Sequence, residues 1–183
     1  STLTSVTIGK SITTIESYTF DGCSGLTTIT IPNAVTTIGS HAFEGCNGLT
    51  SVMLPNSVTT IGDYAFAFCS SLNSITIPNS VTTIWNNAFS GCRSLVSVTI
   101  NSNVVCSKKY SYNANIKNIL GDQVKEYIIG DSVNTIGEYA FYDCKNMESV
   151  TIGKSITSIE SGAFSIFNGN LQKTNYTGTI ADW

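Results

Sequence analysis

Cys23, Cys46, Cys69, Cys92 and Cys144, with the lone histidine His41, are the side chains here that could most readily do nucleophilic or metal chemistry. The first four cysteines follow one another at intervals of 23 residues. A structural zinc site wants paired ligands such as Cys-x-x-Cys, and the chain has none. If the cysteines stack on parallel strands, their Cα atoms lie one rung apart, which a disulfide tolerates. Their Cβ vectors are then parallel, leaving Cβ atoms about 4.8 Å apart, beyond the usual disulfide range. The expectation is therefore buried free thiols acting as small hydrophobes. Cys106 stands outside the column and is the thiol most expected to differ. A hydrolase needs a nucleophile with a positioned base. His41 instead shares a column with Tyr18, Tyr64 and Tyr139, which places it at a rim or surface. The acids Glu16, Asp21, Glu44, Asp63, Glu138 and Asp143 fall in different columns, so no calcium ladder forms. No glycine-rich phosphate loop has the required spacing. No catalytic residue, metal or cofactor is expected.

The spacing of the cysteines points to what positions them. Leu26 to Gly48 is a 23-residue unit that recurs from Leu49, Leu72 and Leu95. Its columns are Leu3, Leu26, Leu49, Leu72 and Leu95; Ile8, Ile31, Leu54, Ile77 and Ile100; Ile15, Ile38, Ile61 and Ile84; Phe20, Phe43, Phe66 and Phe89. After an irregular stretch at 101–123 the pattern returns, offset by six residues, with Val124, Ile129, Ile136, Phe141 and Cys144. A fixed period of this length marks a stacked repeat protein, in which each unit covers its apolar side chains with those of the next. Leu26-x-x-Ile29-x-Ile31 alternates like a short strand, with Thr30 outward, and Pro32-Asn33 stops it. Val35 to Ile38 reads as a second short extended piece, and Ala42-Phe43-x-x-Cys46 as one helical turn. Ile29, Ile31, Val35, Ile38, Phe43 and Cys46 are the expected core. The architecture expected is a solenoid, a right-handed superhelix of parallel β-strands with short extended and helical-turn crossovers.

The whole of 1–183 reads as one repeat domain. It has regular repeats at 1–100, an irregular or insertion repeat at 101–123, regular repeats at 124–167 and a terminal unit at 168–183. The chain enters on an expected strand, Leu3 to Ile8, and Trp183 falls in an expected turn, so it reads as a fragment of a longer array. Charged residues are 11% of the chain, against roughly 25% in average domains. The net charge is −3 with no basic run, which makes nucleic acid and anionic membrane poor partners. No apolar run is long enough to span a bilayer.

The unit L-x-x-[IV]-x-I-P-x-x-V-T-x-I-G-x-x-A-F-x-x-C, as in Leu49 to Ser71, resembles the BspA-like leucine-rich repeat over nearly the whole chain. The closing Asn175 to Trp183 resembles the terminal unit of such arrays. The resemblance implies a leucine-rich-repeat solenoid in a secreted or cell-surface bacterial protein. It also implies adhesion to host matrix or cell-surface proteins as the activity, with no enzymatic role.

Candidate contact residues lie on the outward strand face. One row includes Thr28, Ser51, Ser74 and Ser97, and the other Thr30, Met53, Thr76, Thr99 and Ile128. The plain reading is that hydroxyl residues suit exposed strands. The functional one is a protein-binding surface with Met53 and Ile128 as apolar contacts. Trp85 replaces the glycine of Gly39, Gly62 and Gly137, either filling a groove between coils or standing out as an aromatic anchor. Tyr110 and Tyr112 belong to Lys108-Lys109-Tyr110-Ser111-Tyr112, expected to loop out as a decayed repeat or a recognition element. Two rivals remain. One is a structural spacer without a ligand; the other is polysaccharide or ice binding by the threonine pairs at 13–14, 36–37, 59–60 and 82–83. A monomer is expected, with end-to-end association possible.

Overall fold

The computed structural model describes residues 2–165 and 171–178. Within them the chain winds as a parallel-strand solenoid, each coil contributing one strand to each of two faces. On the first face lie β2 (Thr28–Thr30), β4 (Ser51–Met53), β6 (Ser74–Ile77), β8 (Ser97–Ile100), β9 (Glu126–Ile129), β11 (Ser149–Ile152) and β13 (Lys173–Tyr176). On the second lie the two-residue strands β1 (Thr14–Ile15), β3 (Thr37–Ile38), β5 (Thr60–Ile61), β7 (Thr83–Ile84), β10 (Thr135–Ile136) and β12 (Ser158–Ile159). The register is the column spacing itself, with Ile15 beside Ile38 and Ile77 beside Ile100. Ser149 pairs with Lys173, one residue beyond the period, as the shift before Leu171 requires. The expected first strand is reduced to one bridge from Thr7 to Thr30, with Leu3 exposed. The remainder of the expected terminal unit, including Trp183, lies outside the described residues.

All six expected core residues of the repeat are buried. Phe20, Phe43, Phe66 and Phe89 form one run of stacked rings, with centroids 5.2, 5.1 and 5.3 Å apart. The thiols lie against this run. Cys46 donates to the Phe20 carbonyl at 3.2 Å, Cys69 to Phe43 at 3.2 Å and Cys92 to Phe66 at 3.0 Å.

In the regular coils the helical turn does not extend into an α-helix, because two residues there are held at positive φ. One column is Tyr18, His41, Tyr64, Asn87 and Tyr139, and the other Gly22, Gly45, Phe68, Gly91 and Asp143. A left-handed non-glycine costs about 1 kcal/mol or more. Ring stacking offsets it in the first column, where His41 lies between Tyr18 at 4.6 Å and Tyr64 at 5.2 Å. The ring is further held by Glu44, whose carboxylate meets Nδ1. The rim position expected for His41 is the observed one.

The second face is interrupted where α1 (Asn103–Ser107) replaces a strand, and the turn of that coil is replaced by α2 (Ile116–Leu120). Ser102 caps α1 and donates to the Val81 carbonyl, as Ser57 and Ser80 do to Val35 and Val58 one coil earlier each. The carbonyls of Asn118 and Ile119 accept from the Asn87 and Phe89 amides. The phenylalanine stack breaks here and resumes with Phe141 and Phe164. Tyr127, fully buried in a column of Ile and Val, packs edge-on to Phe141.

Because Phe66 has a ring on either side, Phe66→Ala should cost about 3–5 kcal/mol in urea unfolding. Phe20→Ala, at a half-buried end of the run, should cost clearly less. Equal costs would mean that the rings do not share one core.

Candidate functional site

The outward rows come together as the sequence suggests, but on two sheets rather than one. β2 and β4 form a pair, while β6, β8, β9, β11 and β13 form a five-stranded sheet. Two hydrogen bonds that hold other neighbours are missing between β4 and β6. Amides of Thr50 and Val96 reach back to Thr27 and Asn73, but none among the described residues joins Asn73 to Thr50. After β8, Asn101 donates to the Ile77 carbonyl, whereas Pro78 after β6 has no N–H to give. Pro55 after β4 has none either, yet β2 and β4 pair, so the bond absent at Asn73 is the one that distinguishes β4 and β6. The ladder breaks here although the two strands remain neighbours, and a groove of about 410 Å³ lies beside them, lined among others by Ser51, Met53, Asn56, Ser74, Thr76 and Asn101.

Thr28, Thr30, Ser51, Met53, Ser74 and Thr76 are exposed on this face, Met53 to 83%. Ser97, Thr99 and Ile128 are half-buried, since the continuous sheet packs their side chains rung on rung. Ser97 also bonds Glu126 across the strands. The threonine pairs of the second face have a structural use. Thr36, Thr59 and Thr82 each donate the hydroxyl to a carbonyl one coil back, so these hydroxyls are not presented as a free lattice.

Trp85 lies away from these rows, beyond β7, and is 59% exposed, so it does not fill a groove between coils. A Cβ at Gly39 or Gly62 would stand 2.6 or 2.5 Å from backbone nitrogen of the preceding coil. Tryptophan in this column acts as a wedge. The rim bonds from Tyr18 to Ser40 and from His41 to Asp63 have no counterpart from Tyr64 to Asn86 among the described residues.

The expected looping-out of 108–112 is corrected for Tyr110. Its ring is buried, 8% exposed, and its hydroxyl donates to the Val105 carbonyl at 2.8 Å. Without a phenylalanine in this coil, an apolar ring is needed to cover α1, and Tyr110 supplies it. Tyr112 does stand out, at the tip of a turn closed by paired bonds between Ser111 and Ala114. It meets Tyr139 and Tyr142 edge-on, both at 6.4 Å. That cluster was not apparent from the sequence, because Tyr142 lies in no aromatic column and only the fold brings Tyr112 to the next coil.

The cysteines are free and buried, Cys106 no less than the others. Its expected distinctness is corrected, because α1 turns its thiol into the core. Burial pushes Cys106 and Cys144 up to about 12, and Cys46 as well, where neighbouring Cys23 adds to the effect. Among the described residues, no group of three His, Cys, Asp or Glu side chains comes together as a metal site would require. No helix among them is long and apolar enough to cross a membrane.

The family model for the BspA type leucine rich repeat region matches residues 1–119 and 121–182, in 6 copies. A leucine rich repeat protein of T. pallidum is similar at 26% identity over 81% of this chain and 66% of its own, with a TM-score of 0.59. The pneumococcal vaccine antigen PcpA is similar at 19% identity over 91% of this chain and 42% of its own, with a TM-score of 0.61. A leucine-rich repeat protein from Bacteroides ovatus is similar at 24% identity over 93% of this chain and 54% of its own, with a TM-score of 0.54. The chain thus spans less than two thirds of the length of each of these three proteins. No curated protein matches it.

The raised thiols fix a pH dependence. Unfolded thiols ionise near 9.0, whereas folded Cys46, Cys106 and Cys144 hold their protons to about 12. Stability from this source is complete below 9.0 and is lost as pH rises towards 12. Buried Tyr110 and Tyr127, also raised by burial, act in the same direction. The melting temperature should therefore be level near neutrality and fall through that window. Ellman's reagent at mildly alkaline pH should find no reactive thiol until denaturant is added; prompt reaction of Cys106 would contradict its placement.

Proposed function

We propose that this chain, which belongs to the BspA-type leucine-rich repeat family, is a non-enzymatic interaction module of a secreted or cell-surface protein that binds another protein. The observation that carries this is the exposed hydroxyl face where the ladder breaks between β4 and β6. Thr28, Thr30, Ser51, Ser74 and Thr76 leave a low, polar, uncharged surface, and Met53 stands 83% exposed beside the groove. A flexible thioether on an otherwise flat polar face suits contact with a partner that repacks against it. Surface or secreted placement, and a host matrix or cell-surface protein as partner, are what the family resemblance implies. The fold itself is a general scaffold and carries no ligand with it. Trp85 and Tyr112 are further exposed aromatics, placed off this face, and would serve as secondary contacts.

The test is binding of the chain to immobilised extracellular matrix and plasma proteins, beside Met53→Asp, Trp85→Ala and Tyr112→Ala. Saturable binding is expected, and Met53→Asp should weaken it by about tenfold or more, which is about 1.4 kcal/mol, with the melting temperature unchanged. Equal binding by all variants would remove the face as the site. No saturable binding to any protein would favour a spacer instead.

A further inference from the structure

The irregular coil does more than interrupt the stack. Where α1 takes the place of a strand, β7 loses its next neighbour on the second face, and two hollows of about 160 and 370 Å³ open beside it. Both are lined by Ile84, Lys108, Tyr110 and Ile119, so they form one cleft. The larger part is also lined by Asn115.

Two hydrogen-bond donors there have no acceptor among the described residues. Asn115 is 1% exposed, and its orientation is fixed by capping α2, since Oδ1 accepts from the Lys117 amide at 3.0 Å. That leaves Nδ2, a buried donor with no partner among the described residues. Such a donor is costly unless something meets it. Lys108 forms no ion pair among the described residues; its ammonium lies 5.6 Å from the Tyr110 ring. Neighbouring Lys109, by contrast, is taken by Glu138 at 2.6 Å. Lys117 is likewise taken, by Asp143 at 3.1 Å, so of the three lysines in 101–123 it is Lys108 that has no acidic partner among the described residues.

We infer that this cleft receives an acidic side chain, such as a glutamate, from an extended segment of a protein partner. The carboxylate would meet Lys108 and the Asn115 amide, and the methylenes would lie along Ile84 and Ile119. Both unmet groups are donors, which suits a carboxylate and not a cation. The apolar walls suit an aliphatic stem. This inference rests on the interaction reading above but concerns a different surface from Met53.

The experiment uses a fluorescein-labelled oligoglutamate peptide, followed by anisotropy, with oligolysine and oligogalacturonate beside it. Oligoglutamate should bind saturably and more weakly as salt rises. Lys108→Glu, at an exposed position, should weaken it by about tenfold or more with the melting temperature unchanged. Asn115→Asp keeps the cap but removes the donor, and should weaken binding similarly. Absence of binding at millimolar peptide, or full binding by Lys108→Glu, overturns the inference. Tighter binding of oligogalacturonate overturns the assignment to a peptide. A partner protein whose binding falls with Met53→Asp and not with Lys108→Glu would leave the interaction reading standing and remove this one alone.

Discussion

A coil of 23 residues is too thin to own a core, so every apolar side chain must be covered by its counterpart in the next coil. The rest of the structure depends on that demand. It stacks Phe43 between Phe20 and Phe66, sets the thiols of Cys46, Cys69 and Cys92 against phenylalanine carbonyls one coil back, and brings Gly62 against the backbone of Ser40. It also explains residues that look wrong locally. Tyr18, His41 and Tyr64 are poor choices for positive φ, yet their rings face one another because the backbone turns there in every coil.

The irregular coil shows how the demand is met by other means. It lacks the phenylalanine and the second-face strand, but its neighbours still need partners. The carbonyls of α2 accept the amides of Asn87 and Phe89; Ser102 takes up the role of Ser80; the ring of Tyr127 packs against Phe141 where the phenylalanine run is broken. The repair leaves one buried donor, Asn115 Nδ2, unmet among the described residues, and a cleft lined by Ile84, Lys108, Tyr110 and Ile119 open beside it. Departures from the repeat therefore have two separate effects. Trp85 loosens a contact between regular coils, while 101–123 adds surface that no regular coil has.

Most of the fold was legible because its interactions recur. Ile29, Ile31, Val35, Ile38, Phe43 and Cys46 are each repeated at one period, and a column that recurs needs no knowledge of distant contacts to be read as core. The same logic found the outward rows, including Met53. It could not foresee that the ladder breaks between β4 and β6, since the prolines recur at 55 and 78 and the difference lies in one bond that fails to form at Asn73. It also misjudged Tyr110 and Cys106. Both lie where the period fails, and their burial is decided by α1, a helix that no repeat column announces. Tyr112 was legible as exposed, but its neighbours Tyr139 and Tyr142 come from the following coil.

The direction of the hydrogen bonds between regular coils carries a further meaning. On the second face the amides of Gly39 and Gly62 point back to Ile15 and Ile38, while at the rim those of Phe20 and Phe43 point forward to Ala42 and Ala65. Apart from the bonds lost at Tyr64 and Asn73, each cut between regular coils therefore exposes the same arrangement of donors and acceptors, and one such plane matches another. A gene encoding such coils can gain or lose one by unequal recombination, and the joined product is hydrogen-bonded from the start. The irregular coil keeps the rim part of this arrangement. Its α2 carbonyls accept the Asn87 and Phe89 amides as Asp63 and Ala65 accept those of His41 and Phe43, so even this junction is joined at the rim as the regular ones are.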